Sequence, residues 1–204
     1  MQKSQGNFIL FDMERFGAWL AMLRVGREIR TIQNHHTYTP CYQDFNGTNH
    51  FTLMEQMARE HLARGFAEIA QQLTTFPDGT VAIGRSFEQS PACIYGQNAA
   101  AICVENFGNF DTGSDDMTLA QRQTIIRVNA LLCRKYAIPL DTTGVVYHHW
   151  FDLNTGERTD GSGSTKSCPG TAFFGGNTVA DAEVHFLPMI RAVAIESVDD
   201  YGEE

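Results

Sequence analysis

An α/β fold, with a mixed central β-sheet flanked by helices, is the architecture this sequence predicts. Two observations carry it. Apolar stripes at helical spacing alternate along the chain with short runs suited to strands. No internal repeat or linker divides the 204 residues, and 43% of them are hydrophobic, enough for one sizeable core.

The elements follow in order. Phe16, Trp19, Leu20 and Leu23 recur at i, i+3, i+4 and i+7, an amphipathic helix that Gly26 ends. Residues 1–28 therefore read as an N-terminal helical extension. Ile29 to Asn34 alternates weakly, a strand running into His35, and the turn-rich stretch 37–50 is a loop. Thr52-Leu-Met-Glu55 has the form of a capping box, opening a helix that Gly65 closes, with Met54, Met57, Ala58 and His61 on one face. Ile69 to Phe76 and Thr80 to Ile83 read as strands joined by the tight turn Pro77-Asp78-Gly79. Ala101 to Val104 is a short apolar strand that delivers Glu105. Thr118-Leu-Ala-Gln121 is a second capping box, and its helix runs to about Tyr136 with Ile125, Val128 and Leu132 in its stripe. Gly144 to Tyr147 is a strand that delivers His148. Residues 152–167, rich in Gly, Ser and Thr, form a loop. Asn177 to Ala194 reads as helix interrupted by Pro188, and the tail Asp199 to Glu204 frays.

Composition narrows the function classes. The formal net charge is -9 and no basic patch is visible, which argues against nucleic-acid partners. The same charge disfavours an anionic membrane surface, and no stretch is long enough for membrane insertion. The first apolar run, Phe8 to Phe11, is too short for a signal-peptide core, so the chain as written is expected to start in the cytoplasm, against the alternative of a mature chain whose leader has been removed. The five cysteines include no C-x-x-C knuckle. Cys103 and Cys133 sit in apolar patterns and read as buried thiols, and nothing in the spacing demands a disulfide. His50 and His185 lie in no motif and read as surface residues.

The chemistry concentrates in three places: His35-His36, His148-His149 and Lys166-Ser167-Cys168-Pro169-Gly170. One ligand from each histidine pair plus Cys168 gives three donors, the count of a catalytic zinc site with one open position. Imidazole and thiolate suit zinc and disfavour magnesium or calcium. Water at the open position has its pKa lowered toward about 7.

His35-His36-Thr37, His61-Leu-Ala-Arg-Gly65-Phe66, Pro77-Asp78-Gly79-Thr80, Gly84-Arg85 and Lys166-Ser167-Cys168-Pro169-Gly170 occur in an order that resembles the zinc N-acetylmuramoyl-L-alanine amidases. That family is shared by phage endolysins, bacterial autolysins and peptidoglycan-recognition proteins. The resemblance covers roughly residues 29–175, and the amidase domain is expected over 29–195 with an acidic tail over 196–204. Ile102 to Asp111 resembles the clostridial and phage branch.

The resemblance implies Zn²⁺ as cofactor, peptidoglycan or muropeptides as partner, and His35, His148 and Cys168 as ligands. His36 and His149 are then structural neighbours, pointing to the other face of their strands. His61, on an apolar helix face, reads as a satisfied core histidine. Lys166 matches the lysine that stabilises the oxyanion, against the alternative of a solvated loop lysine. Glu105 matches an acidic residue that some members use as base, its pKa raised by burial, or else it supports a ligand histidine. Many relatives carry a tyrosine, or a glutamine followed by histidine, ahead of the Asp-Gly turn, where this chain has Gln71-Gln72. Gln71 is the candidate replacement donor. Arg85 either binds a stem-peptide carboxylate or braces the hairpin.

The implied reaction is hydrolysis of the amide between N-acetylmuramic acid and L-alanine. The alternatives are a non-catalytic or weakly active peptidoglycan-binding module and a thiol hydrolase using Cys168 with His148. Phage release, secretion and cytoplasmic recycling all stay open.

Overall fold

Seven short strands pair into one sheet: β1 (Gln2–Gln5), β2 (Phe8–Phe11), β3 (Thr31–His36), β4 (Leu73–Thr75), β5 (Val81–Ile83), β6 (Ala101–Asn106) and β7 (Val145–Tyr147), in the spatial order β1-β2-β5-β4-β6-β3-β7. The computed structural model describes the backbone of residues 1–199 and the side chains of 1–195. The expected fraying beyond Asp199 lies outside the described residues. Strands β4, β6, β3 and β7 run parallel, and β5, β2 and β1 add an antiparallel wing. This is the mixed α/β sheet that the sequence predicts. No helix of the described residues is long and apolar enough to cross a membrane.

Alternation along the strands sorts side chains onto two faces. On one face Ile32, Ile102 and Val104 meet α3 (Leu119–Tyr136) through Ile125, Val128 and Leu132, within the larger core cluster. Asn34 and Asn129 exchange amide hydrogen bonds of 2.9 and 3.2 Å across this interface, which satisfies two buried amides and locks α3 onto β3. The opposite face carries Gln33, His35, Cys103 and Glu105, and on that side α2 (His50–Ala63) packs Leu53, Met54 and Met57 over a smaller core.

Several expectations need correction. Residues 1–28 are not a helical extension throughout: only Met13–Met22 is helix (α1), capped by Asp12, while β1 and β2 form a hairpin that widens the sheet. α2 starts at His50, two residues before Thr52. Glu55 accepts a hydrogen bond from Gln5 at 2.7 Å, and Asn49, at the cap position, spends its side chain on the preceding loop. His50 is buried, not at the surface; its ring packs against Phe45 and Phe76 and meets Asp78 at 2.8 Å. Cys103 is not a thiol but is bonded to Cys93.

Other expectations hold. Thr118 caps α3 by accepting from the Gln121 amide, although the Gln121 side chain binds Thr75 and Phe107 carbonyls instead of reaching back. Pro188 falls in the first turn of α5 (Leu187–Asp199), after the turn α4 (Val179–Asp181) and a π-helical segment over Ala182–Phe186. The wider helix ahead of a residue without an N–H accommodates the break in the ladder.

Candidate functional site

In open α/β sheets, ligands bind beyond the carboxyl ends of the parallel strands. Here β3 ends in His35 and His36, β6 brings Glu105 level with His35, and β7 runs directly into His148, the first residue of a 3₁₀ turn over His148–Trp150. Together they wall a cavity of about 540 Å³, within the range of small-molecule sites. The Lys166–Cys168 loop closes one side. The last turns of α2, with Glu60, His61 and Arg64, form the other.

Donor atoms of His35, His148 and Cys168 all lie within 4.8 Å of one another, and all three residues are buried. Metal–sulfur and metal–nitrogen bonds of about 2.3 and 2.0 Å meeting at a tetrahedral angle separate the two donors by about 3.5 Å. His35 Nδ1 and Cys168 Sγ stand 3.5 Å apart. Burial, reinforced by the nearby His148 and Lys166, pushes His35 well below its usual pKa. Burial likewise pushes His148 down to about 4, with Lys166 and His36 adding to it. The imidazoles are thus neutral at pH 7, the form that binds a metal. The Cys168 thiol is pushed up by burial and by Glu105, so it awaits a cation before it ionises. The donor set fits a metal ion.

The second histidine of each pair holds the cysteine loop. The His36 amide donates to Cys168 Sγ at 3.4 Å, and its ring Nδ1 accepts from the Phe110 amide. The His149 amide donates to the Cys168 carbonyl at 2.7 Å, and its ring Nδ1 donates to the Lys166 carbonyl at 2.6 Å. His149 does this from the 3₁₀ turn and not from a strand face. Asp111 accepts from Ser167 Oγ and from the Thr171 amide, and Asn177 donates to the Ser167 carbonyl. Gly170, at φ +120°, lies so close to Phe110 that a Cβ there would sit 2.4 Å from its carbonyl carbon. Glycine is required for that approach.

Glu105 is part-buried in the cavity wall, and burial raises its pKa to about 8 against the opposing pull of Lys166 and Arg64. Lys166 is exposed at the rim, close enough to bear on His35, His148 and Glu105. His61 lines the cavity rather than the core, with Nδ1 accepting from the Ala70 amide. The Phe66 ring packs against the His61 ring and carries the Arg64 guanidinium 5.1 Å from its centre.

The structure does not bring Gln71 and Arg85 to this cavity. Gln71 is fully buried and donates to Thr74 and Met57. Arg85 is buried, donates to the Ile69 and Ser90 carbonyls and pairs with Glu68, which braces the segment after β5. The α2 wall is what sequence reasoning missed. Its signal was present in Gly65-Phe66: Gly65, at φ +88°, ends the helix, and the Phe66 amide bonds back to His61 O, folding Phe66 into the cavity.

The family model described as N-acetylmuramoyl-L-alanine amidase, Amidase_2, matches residues 25–171. No curated protein matches the chain. Solved structures similar to it include N-acetylmuramoyl-L-alanine amidase LysC from Clostridium intestinale URNW, 25% identical, covering 72% of this chain and 80% of that one at a TM-score of 0.54. The endolysin amidase LysCS from the same organism is 24% identical over 71% of this chain and 76% of its own, at 0.52. Drosophila PGRP-LB is 18% identical over 79% and 83%, at 0.57, a likeness of fold. With a family match spanning most of its length and every residue that lines the cavity, the chain belongs to the N-acetylmuramoyl-L-alanine amidase family.

Proposed function

We propose that the chain is a zinc-dependent amidase that hydrolyses the bond between N-acetylmuramic acid and L-alanine in peptidoglycan. The observation that carries the reading is the buried His35–His148–Cys168 set, with neutral imidazoles, donors within 4.8 Å of one another and a tetrahedral spacing between His35 Nδ1 and Cys168 Sγ, in the wall of a cavity that also holds an acid and a cation. Zinc, when bound there, supplies Lewis acidity toward a carbonyl oxygen and toward water.

The chain's own residues do the rest. Glu105 takes the proton of the attacking water and returns it to the leaving amine. Its raised pKa suits that exchange near neutral pH, and a dication beside it draws the value down again. Lys166 holds its ammonium at the rim, where it stabilises the oxyanion that develops on the scissile carbonyl. The α2 wall, with His61 and Arg64, offers polar contacts to a muropeptide that enters from that side. A binding module without activity would need none of the acid, the cation and the metal donors together, so the enzyme reading is favoured over the binding one.

Elemental analysis and a peptidoglycan gel test it. About one zinc per chain is expected in the wild type, lost in Cys168→Ala. Clearing of the gel should stop on chelation and return with added zinc. Clearing that persists in a fully chelated protein points to the thiol hydrolase and overturns the proposal.

A further inference from the structure

Cys93 and Cys103 form a disulfide beside the same cavity, and Cys93 contributes to its wall. Cys103 lies on β6 two residues before Glu105 and shares the sheet face of His35. One donor atom of His35 and the two sulfurs all lie within 4.8 Å of one another, as do the donors of His35, His148 and Cys168. Two donor sets therefore share one imidazole. His35 is 4% exposed, and while Nδ1 faces Cys168 Sγ at 3.5 Å, Nε2 is buried with no hydrogen-bond partner. A buried ring nitrogen without a partner is a cost that a bound cation removes. The disulfide sulfurs cannot act as thiolate donors; the reduced pair can.

We propose that reduction of Cys93–Cys103 creates a second metal site, formed by His35 and the two cysteine thiolates, that competes with His148 and Cys168 for a single ion. The inference rests on the zinc reading above. A dithiol reductant supplies two electrons and two protons: the S–S bond breaks, the reductant leaves as its own disulfide, and Cys93 and Cys103 become thiols. Metal binding then releases a proton from each thiol to solvent. Two sulfurs and one nitrogen hold a thiophilic ion more tightly than one sulfur and two nitrogens. Reduction thus draws the metal off the hydrolytic set, and reoxidation returns it. The hydrolytic site is switched off in a reducing medium and on in an oxidising one.

Cobalt(II) is the probe, read by its sulfur-to-metal charge-transfer absorption in the full-length chain. The protein is reduced with dithiothreitol, which is then removed anaerobically. Oxidised Cys168→Ala should lose the cobalt that the wild type binds. Reduced Cys168→Ala should regain about one cobalt per chain, with about twice the charge-transfer absorption of the oxidised wild type because two thiolates replace one. Adding Cys93→Ser and Cys103→Ser to that variant should abolish the gain. Circular dichroism follows folding in each sample. A reduced chain that unfolds, that regains no cobalt, or that regains it without Cys93 and Cys103 overturns the inference and leaves the zinc reading standing. Full cobalt retention by oxidised Cys168→Ala overturns the zinc reading instead.

Discussion

His35 and His148 reach the cavity from the ends of hydrogen-bonded parallel strands; Cys168 reaches it from a loop. The strand ends are held by the sheet and, beneath them, by the Asn34–Asn129 amide pair and the α3 core. The loop has no ladder. It is held instead by a few hydrogen bonds from His36, His149, Asp111 and Asn177 and by the close approach of Gly170 to Phe110. The same cavity is thus built by two means. A sheet fixes position through many shared bonds, and disturbing it costs fold stability. A loop fixes position through a few side chains, and disturbing one of them costs site geometry.

The largest effects should come from the groups that act on charge. Glu105→Gln is expected to lower turnover by about 10²–10⁴-fold and Lys166→Ala by about 10²–10³-fold, both with zinc still bound. Wild-type rates in both variants would remove the roles assigned to them.

Next comes the loop. Asp111→Ala frees Ser167 and Thr171 next to Cys168 and should weaken zinc affinity by about 10–100-fold, as loss of a contact behind a ligand does, with little change in Tm of the metal-free protein. Asn129→Leu should do the reverse. It strands the Asn34 amide in the core at a cost of about 1–3 kcal/mol, read as a lower Tm, with zinc affinity kept in the folded chain. Equal effects of the two variants on both readouts would erase the distinction between strand and loop.

A further difference is in pH dependence. In the unfolded chain Glu105 titrates near 4.5, and in the folded metal-free chain near 8. Between these values the folded form keeps a proton that the unfolded form has lost, so stability falls as pH rises through the window. Metal-free Glu105→Gln should therefore gain Tm over the wild type progressively from about pH 5 to 8 and match it more closely below that range. His148 works in the opposite sense: its pKa is depressed to about 4, so its contribution is present above 6.5 and is lost as pH falls toward 4. A Tm difference for Glu105→Gln that does not vary with pH would contradict the burial assigned to this carboxyl.

The strand side of the site was legible in the sequence and much of the rest was not. The apolar run before Glu105 and the one before His148 announced strands, and the Thr118 cap with its stripe announced α3, because each has a local period. The hairpin of β1 and β2 had none: Gln2–Gln5 is wholly exposed and polar, and Phe8–Phe11 is a bare apolar run that pairs with a strand some seventy residues away. The start of α2 was misplaced because Thr52 and Glu55 imitate a cap, while the helix already begins at His50 and Glu55 is taken by Gln5 of β1. His50 and Cys103 were misread because their partners, Asp78 and Cys93, are supplied by other elements. His36 and His149 were read as neighbours of the ligands, but their grip on the cysteine loop depends on contacts across 132 residues in one case and across the 17 residues that include the long loop in the other.

Mass spectrometry of peptidoglycan digested with zinc-loaded protein tests the central claim most directly. The account predicts intact stem peptides with a free L-alanine amine, uncut glycan strands, and no products from the chelated protein. New reducing sugar ends without free L-alanine amines would contradict it.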